Sequence, residues 1–326
     1  MATYKGIQGY SVQKLSSDPT ASETAGQLWY NSTSGKFKIS TEGAGAWASI
    51  ASMNTARQFV GAAGTYNAGL IAGGETTVEV GIVEEYNGTA WTEIADLSET
   101  KYQLRGFGDS TEACYMVGGR DPNTANMEAF DGTSWTETAN LPATQNNGTA
   151  VGPSSSGLYA FGYNSGYVAE TYEWNGTSWS HTVDGITGRV AMGGTGTQTA
   201  ALAFGGMSPS VPAASAYTES YDGTSWTQLN NLNTGRKGLG GSQFGRINTS
   251  ALAFAGELPP GSPNSVLTEK WDGTSWTEVA DLSTSNVGGG SLGTVNNAVS
   301  AGGQGLIATA EEWSDPVYSI KTVTVS

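Results

Sequence analysis

The chain has one cysteine, one histidine and only 13% charged residues among its 326. Each scarcity removes a class of protein. A single cysteine, Cys114, permits neither a disulfide framework nor a thiolate metal site, and its surroundings, "ACYMVGG", read as a buried strand. A single histidine, His181, cannot supply the several imidazoles of a copper-dependent oxidase. No run approaches the roughly 18 apolar residues that a membrane span needs. The start, "MATYKGIQGY", lacks the apolar core of a secretory signal, so the expectation is a protein made in a cytosol, without an export signal of its own and without membrane insertion. Basic residues are also short, 14 against 29 acidic ones, and the formal charge is −15. Such a surface repels phosphate backbones and anionic lipid heads, which excludes nucleic acid as an expected partner.

Glycine is plentiful, with 47 residues, and it comes with Ser, Thr, Tyr and Trp. That mixture favours short strands joined by tight turns over helices. It is also arranged periodically. Trp47, Trp91, Trp135, Trp179, Trp226 and Trp276 lie 44, 44, 44, 47 and 50 residues apart, and Tyr318 follows after 42. A period in the forties with strand-like content is the signature of a radial array of four-stranded units.

Three features recur in each period. The first is an apolar run ending in glycine: "GLIAGG", "CYMVGG", "LYAFG", "ALAFGG", "ALAFAG" and "AVSAGG". Continuous apolarity over four or five residues suits a strand buried on both faces. The second is a Glu two residues before an aromatic, as in Glu84/Tyr86, Glu128/Phe130, Glu219/Tyr221, Glu269/Trp271 and Glu311/Trp313. The third is an Asn-Gly or Asp-Gly step, as in "YDGTSWT" at 221–227 and "WDGTSWT" at 271–277. Such a step predicts a tight hairpin turn with both central residues at positive φ, and flanking aromatics that pack across the outer strands. The repeated tryptophans, Trp135 included, are expected to be buried.

Glycine pair, acidic residue with aromatic, then tryptophan: this order resembles the kelch repeat over about residues 47–326. The resemblance implies an all-β fold, a six-bladed β-propeller with four-stranded antiparallel blades. The third unit departs from the pattern, since Tyr172 stands at the Glu position and its apolar run ends in one glycine before Tyr163. The sixth lacks the turn motif, with "EEWSDPVYSI" where "EEYNGTAWTEI" would fit. Two closures are open: the Trp47 strand completes the sixth blade, or Val317–Val325 does.

Residues 1–46 are a separate domain, an attachment arm. "GQLWYNSTSGKFKIS" at 26–40 predicts a strand–turn–strand with Trp29, Tyr30 and Phe37 as packing residues. It resembles a segment near the N-terminus of structural proteins of tailed bacteriophages, often ahead of kelch-like repeats. The resemblance implies a non-enzymatic virion protein made in the host cytoplasm and present in multiple copies. Residues 1–46 would bind other virion proteins, and the propeller would be tail-associated and recognise host surface glycans. The alternatives are a capsid decoration protein, a bacterial kelch-like carbohydrate- or protein-binding module and, more remotely, a glycosidase.

No catalytic residue, metal site or cofactor is expected. The turn Asp residues lack the alternating spacing of a calcium loop, and sequons such as Asn87-Gly88-Thr89 are accounted for by turn chemistry. The candidate binding set comes from counting ten residues past each tryptophan: Arg57, Lys101, Gln145, Arg189, Arg236 and Asn286. Four are cations, and Arg57, Lys101, Arg189 and Arg236 would form a positive rim for an anionic ligand, beside loops of variable length. The competing reading pairs them with the repeated glutamates as structural ties.

Overall fold

The computed structural model describes residues 12–21, 24, 26–120, 122–210, 214–259, 263–315 and 318–324. The regular structure among them is all β, in seven four-stranded sheets. Contacts divide the chain into two units, one of Met1–Ala46 with Asp315–Ser326 and one of Trp47–Ser314.

Six sheets follow the sequence period. The first holds Gly61–Thr65, Ala68–Ala72, Val83–Tyr86 and Trp91–Glu93, and the second Arg105–Ser110, Ala113–Val117, Met127–Phe130 and Trp135–Glu137. The third holds Thr149–Val151, Leu158–Tyr163, Tyr167–Trp174 and Trp179–His181, and the fourth Gly193–Thr197, Ala200–Phe204, Thr218–Tyr221 and Trp226–Gln228. The fifth holds Gly240–Gly241, Ala251–Phe254, Thr268–Trp271 and Trp276–Glu278. The sixth joins Gly290–Gly293, Asn297–Gly303 and Ile307–Ser314 to Ala46–Ile50. Within the first five, successive strands pair antiparallel as a meander. The apolar runs are the second strands, and their central residues are fully buried, as at Leu70–Ala72 and Leu202–Phe204. First strands of consecutive sheets touch in order, and that of the sixth touches that of the first. The arrangement is propeller-like.

The Asn-Gly and Asp-Gly corners differ from the expected turn. Tyr86 pairs with Trp91 and Tyr221 with Trp226, so the loop between them has four residues rather than two. Only the glycine is left-handed, with φ +87° at Gly88 and +95° at Gly223. The preceding Asn or Asp acts through its side chain instead. Asp222 Oδ1 accepts the N–H groups of Thr224 and Ser225, both at 2.8 Å, and Asn87 Oδ1 those of Thr89 and Ala90, both at 2.9 Å. A side-chain oxygen two and three residues upstream satisfies amides that a hairpin corner leaves free. The Thr224 hydroxyl, which donates to Asp222 Oδ1 at 2.8 Å, and then the Thr224 and Ser225 amides hold the carboxyl of Asp222 down to about 2.

Tryptophans on several of the fourth strands tie their sheet to the one before. Trp226 donates to Thr171 Oγ1 and Trp276 to Thr218 Oγ1, both at 3.1 Å, and Trp47 donates to Thr268 Oγ1 at 2.9 Å. Each also meets a Phe of the preceding sheet edge-on, with ring centroids 4.9 Å apart for Trp226–Phe161, Trp276–Phe204 and Trp47–Phe254. Burial is uneven, however. Trp91, Trp179, Trp226 and Trp276 are buried, whereas Trp47 and Trp135 are only half-buried. Trp135 reaches the Ala95 carbonyl at 3.0 Å with its indole edge open to solvent, which corrects the expectation of a buried ring.

The other unit contains the strand–turn–strand expected over 26–40. Leu28–Asn31 pairs antiparallel with Lys36–Glu42, and Trp29 is buried beside Asp18, which accepts bonds from Trp29 Nε1 at 3.0 Å and Asn31 Nδ2 at 2.6 Å. Gln13–Leu15 adds a parallel strand on one side. On the other side lies Tyr318–Thr322, antiparallel to Lys36–Glu42. The terminal strand that the sequence reading grouped with the repeat therefore pairs with the N-terminal hairpin. Val317 and Val325, the ends of the alternative closing strand, lie outside the described residues. The edge next to Ile307–Ser314 is occupied by Ala46–Ile50.

Candidate functional site

The four candidate cations are buried, Arg57, Arg189 and Arg236 at 0% exposure and Lys101 at 1%. Each faces a glutamate of its own sheet: Arg57–Glu84 at 3.0 Å, and Lys101–Glu128, Arg189–Glu219 and Arg236–Glu269 at 2.9 Å. The guanidinium also spans two strands. Arg236 Nη1 donates to the carbonyls of Ala255 at 3.0 Å and Leu267 at 2.6 Å. Arg189 does the same with Gly205 at 3.0 Å and Tyr217 at 2.8 Å, and Arg57 with Gly73 and Ile82. Burial lowers the pKa of these three arginines, while the charge of the facing glutamate acts in the opposite direction.

Each glutamate has a second task. Its other oxygen accepts an N–H from the chain arriving from the preceding sheet: Asn54 to Glu84 at 2.6 Å, Ser98 to Glu128 at 2.7 Å, Ile186 to Glu219 at 2.8 Å and Asn233 to Glu269 at 2.7 Å. In the sixth sheet Glu311 accepts from Ser283 and Thr284, both at 2.9 Å. The residue at the cation position there, Asn286, bonds Ser300 Oγ at 3.0 Å. The third sheet resolves its own irregularity. Tyr172, at the Glu position, donates to Glu170 at 2.8 Å, and Gln145 donates to the same carboxylate at 2.5 Å. A carboxylate thus remains, moved two residues upstream. All six positions are used inside the fold, and none of the four cations is presented to solvent.

Their backbones carry two further patterns that pair-by-pair sequence inspection does not reveal. The second glycine position of each sheet donates to the carbonyl of the next sheet's candidate residue. The bonds are Gly74 to Lys101, Gly119 to Gln145, Gly162 to Arg189, Gly206 to Arg236, Gly256 to Asn286 and Gly303 back to Arg57, at 2.7–2.9 Å. Gly206 shows why a side chain is excluded, since φ is +92° and a Cβ would lie 2.6 Å from both Met192 Cγ and the Val190 carbonyl.

Two residues after each candidate comes a left-handed residue: Phe59, Gln103, Asn147, Ala191, Gly238 and Gly288, with φ between +55° and +64°. Their N–H groups bond head to tail, Gln103 to Phe59, Asn147 to Gln103, Ala191 to Asn147, Gly238 to Ala191, Gly288 to Gly238 and Phe59 to Gly288, at 2.6–2.9 Å. Such a conformation costs a residue with a Cβ roughly 1–2 kcal/mol, and the four non-glycine cases are held there by these bonds. All six are half-buried and line the mouth of one cavity.

The long loops lie between the second and third strands of their sheets. Residues 121, 211–213 and 260–262, parts of three of them, lie outside the described set. His181 is half-exposed and meets Asp184 at 2.8 Å. Among the described residues no group of three or more His, Cys, Asp or Glu is placed to hold a metal ion. The chain matches no model of a known protein family, and no curated protein matches it.

Proposed function

We propose that residues 47–314 form a six-bladed kelch-like β-propeller in a non-enzymatic virion protein of a tailed bacteriophage. The first unit attaches it, and the propeller is displayed to recognise a host surface glycan from a tail-associated position. The observation that carries the propeller reading is the pair of six-membered backbone cycles, each returning to the sheet in which it began. A seventh blade has no place in either. Strand Ala46–Ile50 then supplies the outer strand of the sixth blade, which joins the two ends of the repeat. The non-enzymatic reading rests on how the repeated polar residues are used. Arg57, Lys101, Arg189, Arg236 and their glutamates are committed to internal ties.

Support for attachment through the first unit comes from its separate sheet, built on the hairpin that resembles a phage structural segment. The test has two parts. Quantitative mass spectrometry of particles should find the protein at a few to tens of copies. Hundreds of copies would favour capsid decoration, and its absence would end the virion reading. A 47–315 fragment, which removes both the hairpin and its partner strand, should fold and fail to incorporate into particles. Incorporation of that fragment would move attachment to the propeller.

A further inference from the structure

The first strands of the six sheets surround a cavity of about 80 Å³. Its mouth is the ring of Phe59, Gln103, Asn147, Ala191, Gly238 and Gly288. Its floor comes from one loop. Gln243 Nε2 donates to the carbonyls of Gly106 and Ala150, both at 2.7 Å, so a side chain of the fifth sheet reaches the second and third. Phe244 follows it and is buried with Ala63, Leu70, Leu104 and Met116 of the first and second sheets. Gly106 and Ala150 each lie three residues past the ring, roughly 10 Å along a strand. The ring and Gln243 therefore mark opposite ends of the cavity.

One charged residue lines it among those described, Arg105. Equivalent positions in the other sheets are Gly61, Thr149, Gly193, Gly240 and Gly290, so this cation belongs to one sheet and not to the repeat. Arg105 donates from Nε to the Gly148 carbonyl at 2.7 Å, from Nη1 to Leu104 at 2.9 Å and from Nη2 to Asn147 Oδ1 at 2.8 Å. Those bonds use three of the five N–H groups of a guanidinium. The four buried cations described above each face a carboxylate within 3.0 Å, whereas the half-buried Arg105 has no such ion pair among the described residues. Its surroundings also desolvate it, which lowers its pKa. A partly desolvated cation without a counter-charge carries a cost, in a chain with 29 acidic residues to choose from.

We propose that this cavity is a binding site for a carboxylate ligand, entered through the ring and held by the Arg105 guanidinium. A single cation matches a single negative charge, and a guanidinium matches the planar oxygens of a carboxylate. The volume takes about five to eight water molecules at 10–15 Å³ each, enough for a carboxylate and its first carbons. The rest of a larger ligand would lie at the mouth, beside the Phe59 ring and the amides of Gln103 and Asn147. Two sources share this chemistry, a free small acid and an acidic sugar. The site stands on its own geometry and does not depend on the virion reading.

The experiment is calorimetric titration of the full chain at low salt with acetate, glucuronate and glucose. At least one of the two carboxylates should bind and glucose should not. Equal affinity for acetate and glucuronate identifies the carboxylate alone as the ligand, and tighter glucuronate binding adds contacts to the sugar ring. Arg105→Gln should weaken binding at least tenfold. That variant also loses three internal bonds, so Gln103→Glu is its companion. Gln103→Glu keeps Arg105 and the ring bonds while placing a carboxylate at the mouth, and it should weaken binding by a similar factor. No binding of either carboxylate, glucose binding equal to glucuronate, or undiminished affinity in folded Gln103→Glu would each overturn the proposal.

Discussion

Consider Arg236→Ala. The wild-type guanidinium joins Glu269 at 2.9 Å and the carbonyls of Ala255 and Leu267 in a site with no solvent exposure. Removing it leaves a buried carboxylate without its cation, a change that typically costs about 3–5 kcal/mol. With a urea m-value near 3 kcal/mol/M, at the upper end for small proteins and rising with size, that loss moves the midpoint down by roughly 1–1.7 M. The apolar exchange Arg236→Met with Glu269→Leu sharpens the test. Such swaps are often neutral because they remove two desolvation costs together. Here Glu269 also accepts Asn233 N–H at 2.7 Å and Thr234 N–H at 3.4 Å, and both would lose their acceptor. Each unsatisfied amide costs about 1–3 kcal/mol, so the double variant should stay below wild type. Urea unfolding followed by tryptophan fluorescence reads both. A loss under about 1 kcal/mol in Arg236→Ala at unchanged m, or a double variant as stable as wild type, would refute the tie.

Trp226→Ala should cost about 3–5 kcal/mol, and Trp135→Ala clearly less, because Trp226 is buried against Phe161 and Trp135 is half-exposed; paired thermal melts check the order. Ala191→Gly should raise stability by about 1 kcal/mol, since Ala191 is held at φ +57°, and an unchanged or lower melting temperature would contradict this. Cys114 is buried and its thiol is pushed up to about 12, so Ellman's reagent should react with it only as fast as the second sheet opens. Asp222 has its carboxyl lowered to about 2 by turn hydrogen bonds. Its contribution is therefore present above the unfolded value near 4 and is lost as pH falls toward 2. Asp222→Ala should flatten that part of the acid-unfolding curve, with midpoints compared between pH 5 and pH 2.

Much of the architecture was readable from residue order because it depends on local chemistry. Uninterrupted apolar runs such as "ALAFGG" favour buried strands, and the Asp222-Gly223 step marks a corner, though its four-residue form, held by bonds to Asp222 from Thr224 and Ser225, departs from the two-residue turn that such a step favours. The period of the tryptophans followed from the same economy, one strand set per unit. Other features depended on which strands meet. Arg57 and its equivalents read equally well as a rim or as ties, because an arginine reaches either way until Glu84 and the Gly73 carbonyl are placed beside it. Tyr318–Thr322 has strand character but no partner preference in its residues, and pairing with Lys36–Glu42 assigns it to the hairpin. Arg105 and Gln243 carry no mark of their own in the repeat. The 50-residue spacing from Trp226 to Trp276 signalled extra residues in the fifth unit, but not that two of them cross to other sheets. A pattern of spacing encodes what neighbours along the chain do, whereas a cavity is made by six strands brought together from across the whole repeat.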